Sequence, residues 1–483
     1  MMPPPMRTPL LQLPEYHEDM LLVKMRPSAA PFANVAFQSP ATVSAASPGL
    51  SVLAVYERAG LIKRVTPLQR PAGTPAAAAA HSPLTVLAAS AVPPAGADPK
   101  ITTGTCIVEL QKGTDRQQLQ MALANDFNVE FVSRVPARYL LARPRHADRP
   151  APRPAAVETT IAAAPPSANT MWNLLKVKWR DARSGGLNTA ARISVAVLDT
   201  GVDLSHPDLP GAEITYVHDY PESAASAPEP DVVGHGTHVS GTIRAIVDNG
   251  IGVNGICDCK LSVYKIFDDQ IFDTGQGYFA YGVNPILYRA ALAACVDAGV
   301  QVVNLSIGGY GPPDPQESGL FQALIDNNTA VVAAMGNDNT AKLSYPAAIP
   351  GVIAVGATSL DDTRADFSNF GNHIALSAPG VKIWSTLPTY PGQSGFYYAS
   401  SGNPTPGQPI ARDTDYDAWD GTSMATPHVA ATAALVLQKK GAMSPADLKK
   451  LLMQAADKVP DMNGQDFTPN FGAGRLNLLN LAS

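Results

Sequence analysis

Ile193-Ser-Val-Ala-Val-Leu198 runs straight into Asp199-Thr-Gly-Val-Asp203. A near-continuous apolar run of strand length, with no polar alternation, describes a strand covered on both faces. Such strands sit in the middle of parallel sheets. Asp199 closes the strand and a Gly turn follows. A carboxylate there must be hydrogen-bonded or ion-paired, because burying it alone is costly. It serves either as a turn cap or as part of a site.

Runs of the same texture recur downstream at Leu261–Ile266, Val300–Ser306, Ala330–Ala334 and Val352–Val355. Helical spacing lies between or after them at Pro285–Ala298, Gly319–Asn327 and Thr426–Lys439, and a helix is expected between Trp172 and Trp179. Strands alternating with helices predict a doubly wound, mostly parallel α/β sheet flanked by helices. In such sheets chemistry collects at the carboxyl ends of the strands. Asp199, Ser306 and Asn337 each fall at or just after such an end.

Upstream of Trp172 the texture differs. Residues 1–100 form a Pro/Ala-rich region with a possible small module: a strand at Met20–Met25, a helix at Leu50–Ala59, a strand at Leu61–Val65, then a linker over 71–99. Residues 101–145 repeat that rhythm with strands at Thr105–Leu110, Val129–Arg134 and Tyr139–Arg143 and a helix at Asp115–Asp126, a compact α+β module. The earlier segment is either a divergent copy of it or an unrelated small module. Residues 146–169 read as an exposed second linker, and 170–483 as the doubly wound domain.

The bulk numbers bound the possibilities. A chain of 483 residues, 45% hydrophobic and 16% charged, can bury a sizeable core, and a formal net charge of −6 gives no reason to expect nucleic acid or an anionic membrane as partner. No stretch is long and apolar enough to span a bilayer. Met1–Glu15 lacks a basic start followed by an unbroken apolar run, so a standard secretory signal is not expected. The compartment stays open between the cytoplasm and export by another route, and a monomer is expected. Cysteines number 4, too few for a disulfide scaffold. Cys257 and Cys259 are too close to bridge without strain and have no matching Cys/His pair, so buried or free thiols are expected rather than a metal set.

Three further stretches carry residues suited to chemistry. In Gly234-His-Gly-Thr-His-Val-Ser-Gly241, glycines on either side leave the His235 imidazole accessible at a helix start. His238, one turn along, is expected to pack beneath. Asn337 follows a buried strand and a Gly, and its amide can donate two hydrogens. In Asp420-Gly-Thr-Ser-Met-Ala-Thr-Pro-His-Val-Ala430, a tight turn delivers Ser423 to a buried helix whose N-terminus suits a developing oxyanion, with Pro427 expected in its first turn.

Asp, His and Ser in that chain order are the order of subtilisin. Residue for residue, the chain resembles the subtilisin-like serine protease family (subtilases, peptidase S8). The matches are Val197–Asp203 with His206-Pro-Asp-Leu209, then Gly234–Gly241, Asn304-Leu-Ser-Ile-Gly-Gly309, Ala333-Ala-Met-Gly-Asn337, Ser377-Ala-Pro-Gly380 and Gly421–Ala430. The resemblance covers the chain from about Trp172 and says nothing of the first hundred residues.

What it implies is specific. Ser423 is the nucleophile, His235 the general base and Asp199 its orienting partner, with Asn337 and the Ser423 N–H as oxyanion donors. Ser306, Ile307 and Gly308 form the edge strand that pairs with an extended substrate, and Ser344 lines the first specificity pocket. The chemistry needs no cofactor. A structural Ca²⁺ is implied at Asp208, Asn249 and the carbonyls of Val247, Ile251 and Val253. Asp413, Asp415, Asp417 and Asp420 form either a negative rim to the cleft or a solvated loop. The N-terminal region is expected to act as an intramolecular inhibitor, removed by autocatalytic cleavage between Pro150 and Ser167. Polypeptides are the implied substrates of a serine endopeptidase. The alternatives are an acyl-transferring relative of the transpeptidase or macrocyclase type, for which the 381–418 insertion could supply a lid, and an inactive binding homologue.

Overall fold

The computed structural model describes residues 13–26, 51–68, 104–140, 143–144, 171–218, 230–268, 271–273, 277–399 and 405–482. The linkers expected at 71–99 and 146–169, and with them the expected cleavage stretch, lie outside these residues.

The N-terminal part holds β1 (Tyr16–Met25), α1 (Ser51–Arg58), β2 (Ile62–Pro67), β3 (Thr105–Leu110), α2 (Arg116–Ala124), β4 (Val129–Pro136), β5 (Tyr139–Leu140) and β6 (Arg143–Pro144). Four of these make one antiparallel sheet in the order β2-β3-β1-β4. β1 therefore pairs on one side with β3, Val23 opposite Cys106, and on the other with β4, Val23 opposite Val132. The sequence divides this region at residue 100, but the sheet does not. Residues 101–145 cannot form it alone, because β1 supplies its middle. Rhythm along the chain shows where strands are and not which strands pair. Leu21, Val23, Leu53, Val65, Cys106, Val108, Leu119 and Leu123 close one core between this sheet and its two helices.

The larger domain begins with two short helices, α3 (Trp172–Lys176) and α4 (Trp179–Ser184), instead of one, because Lys178 takes a left-handed φ of 58° between them. Then come β7 (Ser194–Asp199), β8 (Thr215–Val217), α5 (His235–Arg244), β9 (Lys260–Lys265), β10 (Ile271–Asp273), β11 (Tyr278–Tyr281), α6 (Pro285–Ala298), β12 (Val302–Leu305), β13 (Ile307–Gly308) and α7 (Pro315–Asp326). The chain closes with β14 (Ala330–Ala334), β15 (Ile353–Thr358), β16 (Leu376–Pro379), β17 (Ile383–Thr386), β18 (Gln393–Tyr398), β19 (Pro406–Ala411), β20 (Tyr416–Asp420), α8 (Thr422–Lys440) and α9 (Pro445–Ala455).

A seven-stranded sheet in the order β16-β15-β14-β12-β7-β9-β8 is the centre of this domain. Every pairing in it is parallel. Along β7, Val195 and Val197 join one core while Ala196 and Leu198 join the other. That two-sided burial is why the strand reads as an unbroken apolar run. The first core includes α5 and α8 residues such as Val239 and Val429, and the second includes Leu292 of α6 and Phe321 of α7. The 381–418 insertion does not stand alone: β18 and β19 extend β10 and β11 into a four-stranded sheet. All four cysteines are buried and free. Among the described residues no helix is long and apolar enough to cross a membrane.

Candidate active site

β7 delivers Asp199 to the carboxyl edge of the sheet, fully buried. Its Oδ1 accepts a 2.7 Å bond from the Thr200 N–H and stands 2.7 Å from His235 Nδ1. A ring nitrogen facing a carboxylate carries the proton, so Nδ1 donates and Nε2 keeps its lone pair. His235 Nε2 is buried with no hydrogen-bond partner among the described residues.

His235 opens α5, and a residue not anticipated from the sequence fixes that helix end. Asp231 Oδ1 accepts from the Gly234 N–H at 2.8 Å and the Thr200 hydroxyl at 2.7 Å, and its Oδ2 from the Thr237 N–H at 2.9 Å and hydroxyl at 2.7 Å. One buried carboxylate thus ties the start of α5 to the turn that carries Asp199. Its sequence signal is an Asp just ahead of a Gly-rich helix start, a capping pattern. His238 lies beneath, stacked on Trp419 at 5.2 Å with Nε2 3.0 Å from the Ile383 carbonyl. Burial, reinforced by His235 alongside, pushes its pKa down to about 3, so it stays neutral and donates from Nε2.

Ser423 is the second residue of α8, which begins at Thr422. Pro427 therefore sits beyond the first turn, contrary to expectation. Lacking an N–H, it leaves the Ser423 carbonyl without its helical donor. That carbonyl accepts instead from the Ser306 hydroxyl at 2.9 Å, while the Ser423 hydroxyl donates to the Ser306 carbonyl at 2.8 Å. Asn337 Oδ1 accepts from both the N–H and the hydroxyl of Thr422, each at 2.9 Å. This fixes the amide plane and turns its NH2 edge away from Thr422, beside the start of α8.

The edge strand β13 pairs antiparallel with β5 of the N-terminal region: Ile307 faces Leu140 and Gly308 faces Tyr139. On the other side Tyr139 bridges to Gly282, just past β11, and its ring lies 5.1 Å from that of Phe272. A short strand thus lies between two walls of the larger domain. Glycine is required for this approach: a Cβ on Gly309 would stand 2.3 Å from the Ala137 carbonyl oxygen. Past the cleft, β6 pairs with β20, Arg143 opposite Asp420. Ser344 lies fully buried near this edge, its Oγ unpartnered among the described residues and 3.5 Å from where a Cβ on Gly336 would be.

At the loop expected to hold calcium, the side-chain oxygens of Asp208 and Asn249 are already engaged by donors. Asp208 Oδ1 accepts from Asn249 Nδ2 at 2.7 Å and Oδ2 from the Val253 N–H at 2.7 Å, and the Tyr416 hydroxyl donates to the same carboxylate. Val253 thus presents its N–H to Asp208, and the Asn249 oxygen accepts from the Ile251 N–H at 3.1 Å. Val247 is half-buried and Ile251 exposed. Among the described residues no group of three or more His, Cys, Asp or Glu could hold a metal. Two of the four aspartates expected at a negative rim are engaged instead. Asp417 is buried and accepts from the Ala418 N–H and Trp419 Nε1, and Asp420 accepts from the Lys382 N–H.

Known proteins resemble this chain in sequence and fold. The model of the subtilase family matches residues 190–474. Subtilisin from Bacillus pumilus is 33% identical over 302 residues, 60% of this chain and 90% of its own length. Subtilisin NAT from Bacillus subtilis subsp. natto is 33% identical over the same share of the chain, and the match spans 65% of its length. The crystal structure of fervidolysin from Fervidobacterium pennivorans, described as a keratinolytic enzyme related to subtilisin, superposes with a TM-score of 0.62 at 24% identity, covering 97% of this chain and 61% of that one. At that identity the likeness speaks for the fold. A parallel sheet that brings Asp199, His235 and Ser423 to one edge, in a chain matched by the family over most of its larger domain, belongs to the subtilases.

Proposed function

We propose that this chain is a serine endopeptidase, made with an N-terminal region that occupies its own cleft. The observation that carries the proposal is β5 lying on Ile307–Gly308, at the edge beside which the Asp199–His235 pair and Ser423 are assembled. An extended peptide there gains main-chain hydrogen bonds without regard to sequence.

The chemistry follows from the protons. The Ser423 hydroxyl turns from the Ser306 carbonyl to His235 Nε2. Its oxygen bonds to the scissile carbonyl carbon as the proton passes to Nε2. Asp199 holds Nδ1–H and stabilises the resulting imidazolium. The Asn337 NH2 and the Ser423 N–H receive the negative oxygen. The C–N bond then breaks, the leaving amine takes the proton from Nε2, and water repeats the sequence on the acyl-enzyme. No cofactor enters these steps, and no structural calcium is part of the proposal.

Release from self-inhibition is cleavage of the chain where it crosses the cleft. β5 ends at Leu140 on one side and β6 begins at Arg143 on the other. The first cut therefore falls between them, upstream of the Pro150–Ser167 stretch that composition favours. Two measurements test the whole reading. An organophosphorus reagent should label Ser423 of the processed protein, which should degrade casein; labelling without degradation would favour acyl transfer. The Ser423→Ala protein should stay full-length, and equal processing in both would sink autocatalysis.

A further inference from the structure

The N-terminal strand does more than fill the cleft; it fills one polar socket in it. Arg138 is 2% exposed and Glu317, on α7, 1%. The Arg138 Nη2 donates to Glu317 Oε2 at 2.8 Å and Nε to Oε1 at 3.1 Å. Nη1 donates to the Gly311 carbonyl at 2.8 Å and to the Ala137 carbonyl at 3.1 Å. This is a paired fork on a carboxylate, the geometry that selects a guanidinium.

The receiving side of the socket belongs to the catalytic domain. The Glu317 N–H donates to the Asp314 side chain at 2.9 Å, in the first turn of α7. The Tyr288 hydroxyl donates to Glu317 Oε1 at 3.2 Å. Arg289, the other cation close by, is engaged by Asp314 and by the Pro285 carbonyl. When the N-terminal region leaves, Glu317 keeps its neighbours and loses its guanidinium partner. A carboxylate held in that setting without a matching cation is costly, so the socket favours a replacement.

The register says where on a substrate that replacement sits. Tyr139 faces Gly308 and Leu140 faces Ile307, so the next residue of a bound strand comes opposite Ser306. The Ser306 carbonyl holds the Ser423 hydroxyl, so the residue opposite Ser306 is the one acylated. Counting back from it through Leu140 and Tyr139, Arg138 is the fourth residue before the scissile bond, and its carbonyl accepts from the Val283 N–H at 3.2 Å.

We infer that Glu317 is a specificity-determining residue, and that the processed enzyme selects peptides with arginine at the fourth position before the cleaved bond. The inference rests on the endopeptidase reading and on β5 lying as a substrate lies. Lysine reaches the carboxylate as a point charge but cannot make the fork, so it ranks below arginine and above alanine.

The test uses the processed enzyme and four fluorogenic peptides identical except for Arg, Lys, Ala or Glu at that position. The expected kcat/KM for Arg exceeds that for Ala by roughly 10²-fold, as for a buried, hydrogen-bonded charge pair, with Glu lowest. Glu317→Gln should bring the Arg-to-Ala ratio of kcat/KM down towards one. Equal rates for Arg and Ala in the wild type overturn the inference, and so does an Arg preference that survives in Glu317→Gln. The wild-type ratio decides even where the variant fails to fold. An enzyme that is not labelled at Ser423 and cuts none of the peptides refutes the endopeptidase reading instead.

Discussion

Ser306 and Ser423 exchange two hydrogen bonds, each hydroxyl donating to the other's carbonyl. The pair joins the end of β12 to the start of α8, so the proposed nucleophile and the edge strand β13 are held as one unit. The Ser423 carbonyl is available for this because Pro427 has no N–H to claim it. A helix-breaking residue inside a buried helix therefore serves the site.

Pro427→Ala tests that link. The new N–H can bond the Ser423 carbonyl and compete with the Ser306 hydroxyl. Thermal melting should hold or rise, since an intrahelical proline is costly, while kcat/KM should fall severalfold. A variant with unchanged kcat/KM would show that the Ser306 bond to the carbonyl contributes nothing to catalysis.

Asn337→Asp separates the two ends of one side chain. It keeps an oxygen for Thr422 and replaces the NH2 donor by negative charge. Turnover should fall by at least roughly 10²–10³, the value known from subtilisin for loss of its oxyanion-hole amide and carried over from there. Melting should stay closer to wild type than for Asn337→Ala, which also orphans the Thr422 N–H and hydroxyl at about 1–3 kcal/mol. Equal turnover in Asn337→Asp and wild type would remove Asn337 from the oxyanion site.

The docked N-terminal region should loosen in acid. His17, on β1, has its Nε2 buried without a partner among the described residues. Its pKa is lowered from the ordinary 6.5 to about 4, by burial first, with Arg289 and Arg138 adding to the effect and Asp19 opposing it. A lowered pKa means the docked form binds fewer protons than the free one. Docking is then full above pH 6.5 and weakens as pH falls from there towards 4. Asp314 and Glu317 also face this corner, but they are already engaged by Arg289 and Arg138. The dissociation constant of the separate N-terminal region for processed enzyme, read at neutral and acid pH, checks this; His17→Gln should flatten the dependence. An identical pH slope in the variant would rule His17 out.

Chelation should leave stability untouched at the Asp208 loop. Both oxygens of Asp208 are taken by Asn249, Val253 and Tyr416, and burial raises its pKa to about 6. The expected outcome is the same Tm with and without EDTA. A drop of several degrees, restored by added Ca²⁺, would mean that these donors rearrange around a cation.

The residues proposed for catalysis were legible in the sequence as candidates because each stands at the end of an element with its own pattern. Asp199 closes an apolar run, His235 is set among glycines, and Asn337 and Ser423 follow or open buried segments. Asp231 was not legible, because a capping carboxylate looks like any loop aspartate until its four bonds are seen. The pairing of β1 with both β3 and β4 was hidden for a different reason: an antiparallel sheet can bring together strands that the chain keeps far apart. The calcium loop is the converse case. Its Gly-rich pattern is present, but the turn directs the Asn249 amide and the Val253 N–H onto the carboxylate.

Under the proposed self-inhibition, the interleaved sheet would make activation directional. β1 and β2 come from before the stretch 69–103, and β3 and β4 from after it. A second cut anywhere in that stretch would leave two fragments, one holding the central strand and the other both of its neighbours. Neither fragment has a complete sheet face to bury, and rejoining them is a bimolecular event at cellular dilution. An N-terminal region with the proposed inhibitory role, cut in this way, could not readily return, so the nicking would act as a ratchet.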